Sequence, residues 1–241
     1  MVSCTRSRYV FIGEPRPVMR GALVGWLNRT GLWLSLLALY VSCTFVFTSF
    51  SVLAMLPRIA FAVATWWCTW LSDWLHNLDL KMGEQADVPT EFYFWKRDLL
   101  SISVILTVQF LLWAENTGWR VGKYQGMGTV FMNAVVFVLL FHSNSRLIRY
   151  RHRIALCVKV LYVLQFILLG WLGYVYVMFT QCGFATSIWF IYLPGFLCYA
   201  TKPLLNDHFT YFGPHEVFHA CVYAGHLLTM GNDLLICGSS L

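Results

Sequence analysis

The chain has 241 residues, of which 59% are hydrophobic and only 12% charged, with a net charge of +6. An average soluble domain carries about 25% charged residues, so an ordinary soluble globular domain is excluded. The basic residues cluster between apolar runs, which makes the charge a topology signal rather than a nucleic-acid footprint.

Several uncharged runs reach the roughly 20 residues that a helix needs to cross the hydrocarbon layer. The expectation is an all-α polytopic membrane protein, a seven-transmembrane helix bundle over 31–241 behind a short basic arm at 1–30. The arm holds Arg6, Arg8, Arg16, Arg20 and Arg29. It precedes an apolar run too long and too late for a cleavable signal peptide, so the first span should act as an uncleaved anchor. Eight cysteines include no C-x-x-C pair, and no disulfide framework is expected.

Apolar residues run from Gly31 to Leu75, broken at Pro57-Arg58. A turn at that proline would divide the run into span 1 (31–56) and span 2 (58–77). A polar segment follows, with Asp79, Glu84, Asp87 and Glu91. Span 3 is expected at 94–113, span 4 at 126–142, span 5 at 154–179 after the basic run Arg146 to Arg153, span 6 at 184–201 and span 7 at 215–237. Trp66, Trp67, Trp70, Trp74 and Trp95 read as aromatics that face lipid, pack the bundle or form interfacial belts, and Asp73 and Asp79 as interfacial carboxylates.

Span 7 opens with His215-Glu216-Val217-Phe218-His219. In a helix, His215 and His219 lie one turn apart on one face, a spacing at which two imidazoles can hold one metal ion. The topology brings further chemistry to the same membrane face. Span 2 ends in Ser72-x3-His76, and Asp98 lies near the start of span 3. His76, His215 and His219 form a candidate zinc site whose fourth position stays open. Asp98 is the candidate base and Ser72 the candidate holder of a water or substrate oxygen. His226 shares the face of His215 and His219 but lies deeper, where an interhelical hydrogen bond is its expected role. His142, His152 and His208 read as structural or solvated.

Ser-x3-His closing the second span, Asp opening the third and His-x3-His in the last resemble the CREST superfamily of seven-span zinc hydrolases. That superfamily includes alkaline ceramidases, progestin and adiponectin receptors with the hemolysin III group, and the branch of myomaker and the GPI-specific phospholipase. The stretch HEVFHACVYAG is similar to the last-span motif of the receptor and hemolysin group. The 22-residue step from His76 to Asp98, with Asp79 three after the histidine, looks more like the myomaker branch, as does DHFTYFGPH. The resemblance implies His76, His215 and His219 as zinc ligands and hydrolysis of a lipid amide or ester. It gives Glu216 no role as ligand or base, and in the myomaker branch it implies an amino terminus outside the cell.

Three functions follow as alternatives. One is a zinc-dependent hydrolase acting on a membrane lipid. Another is an intramembrane metalloprotease that uses Glu216 of the H-E-x-x-H as base. The last is a non-enzymatic receptor-like or myomaker-like fusion protein. Thirteen Lys and Arg fall on the amino-terminal side of the expected spans and three on the other. The positive-inside rule therefore places the amino terminus in the cytosol. Protease protection of terminal tags should show the amino-terminal tag digested and the carboxyl-terminal one protected when the cytosolic face is exposed. The opposite pattern would refute the charge argument.

Overall fold

The computed structural model describes residues 8–10, 14–16, 29–31, 33, 36–37, 40, 52–76, 78, 88–116, 123–141, 153–154, 156–158, 160–165, 167, 191–199 and 214–238. They are helical apart from one small antiparallel hairpin in the basic arm. There β1 (Arg8–Val10) pairs with β2 (Glu14–Arg16), with Tyr9 opposite Pro15. The all-α class expected from composition holds. The labelled helices are α1 (Val52–His76), α2 (Val88–Asn116), α3 (Lys123–Phe141) and α4 (Pro214–Gly238). Among the described residues, no helix is long and apolar enough to cross a membrane.

Two boundaries differ from the expectation. Pro57 lies inside α1, which begins at Val52, so the chain does not break there. Pro57 is the sixth residue of α1, so its missing N–H forfeits one intrahelical bond, to the carbonyl of residue 53, and the helix continues through it. Helix α2 begins at Val88, earlier than residue 94, within the segment read as polar connection. Pro89 suits a first turn, and Glu91 complements the positive end of the helix dipole. Helix α4 opens in the same way on Pro214.

Helix α2 is central and packs against α1, α3 and α4. Its direction relative to each neighbour can be read from side-chain pairs. Trp74 of α1 stacks on Phe94 near the start of α2, whereas Phe61 and Ala64 share a cluster with Ile105 and Leu112. Helices α1 and α2 are therefore antiparallel. Leu140 joins the cluster of Trp95 and Leu99, and Asn133 hydrogen-bonds Thr107, so α3 runs against α2. Val158 belongs to the Trp95 cluster and Gln165 donates to Asn133 at 2.5 Å, which sets the described helical residues between 153 and 167 antiparallel to α3. Close contacts of Gly195 with Cys221 and of Gly225 with Tyr192 run 191–199 against α4. Each of these neighbouring pairs is antiparallel, as in an up-and-down bundle.

Helices α1 and α4 face each other through side chains in the order Arg58 with Asp233, Phe61 with His226, and His76 with His219. The Arg58 guanidinium donates from Nε at 2.7 Å and from Nη2 at 2.8 Å to the two oxygens of Asp233. Both side chains are about nine-tenths buried. Removing one member would strand the other charge away from solvent. Asp233→Ala should lower stability by about 3–5 kcal/mol, read as a fall in thermal midpoint. The double change Arg58→Met with Asp233→Leu should recover most of that loss. An equal loss in both proteins would show that the ion pair is not what holds this end.

Candidate functional site

The last turns of α1, the early turns of α4 and the third turn of α2 enclose one end of a cavity of about 370 Å³. Four sequence-derived candidates line it: Ser72, His76, Asp98 and His219. Ser72 and His76 stand four residues apart on α1 and so share a face. Each is buried, at 4% and 9% exposure. The imidazoles of His76 and His219 meet edge to face, with centroids 5.1 Å apart and planes at 87°. Asp98 is half-buried, and its carbonyl oxygen accepts a hydrogen bond of 2.6 Å from the Ser101 hydroxyl one turn on. The Ser72 hydroxyl oxygen is buried with no hydrogen-bond partner among the described residues.

The chemistry of this donor set suits a borderline-soft cation. Two imidazoles on one tetrahedral zinc, with nitrogens about 2.0–2.1 Å from the metal, hold their centroids about 5 Å apart. His76 and His219 stand at that separation. His215 lies on the α4 backbone one turn before His219, but its side chain is outside the described residues. Among the described residues, no group of three His, Cys, Asp or Glu is placed to hold a metal ion. Two of the three candidate ligands are thus brought together, and nothing is described of the third. His142, His152 and His208 also lie outside the described residues.

Glu216 takes a different place. It is fully buried, at 0% exposure, and is not among the described residues lining the cavity. Its 100° step around the helix from His215 turns it from that face. Asp73, read as interfacial, is buried at 5% exposure. Of the aromatics, Trp95 packs the bundle as a core residue, stacked on Phe92 at 5.7 Å. Trp66 and Trp70 do lie on an exposed face, stacked at 6.3 Å.

The cavity continues away from His76 and His219 to His226, which the sequence places deeper on the same face, and to Tyr223, Gln109 and Tyr192, which sequence reasoning passed over. Tyr223 follows His219 by one turn, their rings 6.3 Å apart, and His226 lies beyond it at 6.4 Å. The signal was present in the i, i+4, i+7 spacing of the three. Gln109, buried at 1% exposure, donates at 3.0 Å to Thr229 and at 3.5 Å to the Tyr192 hydroxyl. A glutamine inside an apolar run is itself such a signal, because it needs a partner there. Between the two polar ends the wall is apolar, with Leu99, Ile102, Ile105 and Leu106.

No family model matches the chain, and no curated protein matches it.

Glycine sets how closely the cavity walls approach. A Cβ at Gly225 would lie 2.3, 2.6 and 2.8 Å from ring carbons of Tyr192. Neither a stiff aromatic ring nor a helix backbone absorbs such an overlap without shifting. Gly225→Ala should therefore cost about 1–3 kcal/mol of stability, as overpacking does. It should also weaken binding of any cavity ligand. A variant as stable as wild type with unchanged binding would show that the wall yields freely.

Proposed function

We propose that the chain is a seven-span helical membrane protein of the CREST type, acting as a zinc-dependent hydrolase on an acyl amide or ester bond of a membrane lipid. The observation that carries this reading is the edge contact of His76 with His219 in a cavity that Ser72 and Asp98 also line.

Membrane residence is supported by an inverted distribution of polarity. Gln109, Gln165 and Ser101 are buried at 1%, 0% and 0% exposure, while Phe131 and Leu156 are exposed at 69% and 63%. In water this arrangement would lose on both counts. In lipid it is favoured, because polar side chains find partners only inside the bundle. The alternating helix directions support the up-and-down topology that seven spans require. The amino terminus remains assigned to the cytosol on the charge argument, with His76, Asp98 and the start of α4 at the cytosolic end.

In this reading His76, His215 and His219 are the ligands. Bound zinc would polarise the scissile carbonyl and supply a nucleophile near neutral pH. Asp98, on a separate helix, takes up the proton released in the attack. Ser72 offers its hydroxyl to an oxygen of the substrate. The apolar wall between the polar ends receives a hydrocarbon chain and excludes bulk water. The burial of Glu216 away from the cavity favours this chemistry over that of an H-E-x-x-H protease, which needs its glutamate at the reacting bond.

The test separates ligands from base. Purified variants are assayed for zinc content and for cleavage of fluorescent acyl-amide and acyl-ester lipids. His219→Ala should be metal-poor and inactive. Asp98→Asn should keep its metal and lose activity about a hundredfold or more, as expected for a missing general base. Glu216→Gln should match wild type in both. A fully active, zinc-bound Asp98→Asn beside an inactive Glu216→Gln would overturn the lipid-hydrolase reading in favour of the protease.

A further inference from the structure

The deep end of the cavity carries a polar group that the proposed hydrolysis does not use. His226 is 4% exposed and lines the cavity. Its Nδ1 is fully buried and has no hydrogen-bond partner among the described residues. The interhelical hydrogen bond expected of this histidine is thus not made by that atom. Aromatic rings hold the imidazole in place, with Phe61 edge-on at 5.7 Å and Tyr192 and Tyr223 each at 6.4 Å. Its neighbours in the wall are engaged: the Gln109 amide donates to Thr229 and Tyr192, and the Thr229 hydroxyl donates to the Gly225 carbonyl. A buried polar atom left unsatisfied costs about 1–3 kcal/mol. A ligand that answered it would recover much of that cost.

We infer that His226 forms a second polar subsite, which selects lipid chains bearing a hydroxyl about 10 Å from the headgroup end of the cavity. The distance follows from the step of seven positions from His219 to His226 at 1.5 Å each. It corresponds to roughly nine bonds of extended chain at ~1.2 Å per bond. A hydroxyl is the matching group because it both donates and accepts, and so satisfies Nδ1 in either imidazole tautomer. An unsubstituted chain would leave the nitrogen unpaired. The inference rests on the reading that the cavity holds a lipid chain, but it needs neither bound zinc nor turnover.

The experiment measures equilibrium binding of three fatty acids to the full-length protein in nanodiscs. These are stearic acid, 10-hydroxystearic acid and 2-hydroxystearic acid, followed by the quenching of intrinsic tryptophan fluorescence. Wild type should bind the 10-hydroxy acid roughly three- to tenfold more tightly than stearic acid, the gain of one net hydrogen bond. The 2-hydroxy acid should show no such gain. His226→Phe should abolish the preference, and His226→Gln, which keeps hydrogen-bonding capacity, should retain part of it. Equal binding of all three acids by wild type would overturn the subsite and assign the buried nitrogen to an ordered water. So would a preference that survives His226→Phe, and so would a failure of all three to bind. Loss of zinc binding or hydrolysis with an intact hydroxyl preference would sink the hydrolase reading and leave the subsite standing.

Discussion

The arrangement of α1 against α4 is the constraint on which the rest depends. These helices are far apart in sequence, and side chains join them at both ends: an ion pair between Arg58 and Asp233, and the edge contact between His76 and His219. On α1 the two contacts are eighteen residues apart, about 27 Å of helix. Fixing both ends sets the antiparallel direction and the axial register together. A slip of one residue would rotate His76 by about 100° and carry it off the cavity face. The bidentate geometry of the ion pair adds directional specificity that a point charge would not supply. The far end of the bundle thus determines what meets at the near end.

Helix α2 supplies the second constraint. It lies between α1, α3 and α4 and brings a different side chain to each. Phe92, Trp95 and Leu99 build the apolar cluster nearest the histidines, and Ile105 and Leu112 build the one near the ion pair. Between them Ser103, Thr107 and Gln109 reach Tyr162, Asn133 and Thr229. These hydrogen bonds tie helices together where apolar packing alone does not choose a partner. A carboxylate at position 98 then faces the cavity on a helix whose register is already held by several independent contacts.

The cavity inherits a two-ended character from this frame. One end gathers Ser72, His76, Asp98 and His219, the residues to which the proposed hydrolysis assigns its chemistry. The other ends on His226 beside Gln109 and Tyr192. An apolar wall of Leu99, Ile102, Ile105 and Leu106 separates them. Close approach at glycine narrows the enclosure. Gly31 sets a further helix against Thr69 and Tyr223, where a Cβ would come within 2.4 Å of the tyrosine ring.

Much of this could be read from the chain alone. Helical class followed from composition, and the helix starting at Pro214 and the end of α1 at His76 followed from where apolar runs meet proline and polar residues. The candidates Ser72, His76, Asp98 and His219 were selected by residue type, spacing and the side on which each run ends, and these are local properties written in the sequence. The start of α2 at Val88 was hidden, because charged side chains mask helical residues that extend past the apolar stripe. Pro57 misled, since a proline near a helix start and one at a break look identical in sequence. Beyond the meeting of His76 with His219, pairwise contacts could not be read. Nothing local distinguishes Asp233, the partner of Arg58, from other carboxylates, or tells that Trp95 turns inward while Trp66 and Trp70 face outward. Those choices depend on which helix faces which, and that is decided by packing between residues on different helices, from Leu75 beside Trp95 to Arg58 and Asp233, 175 positions apart.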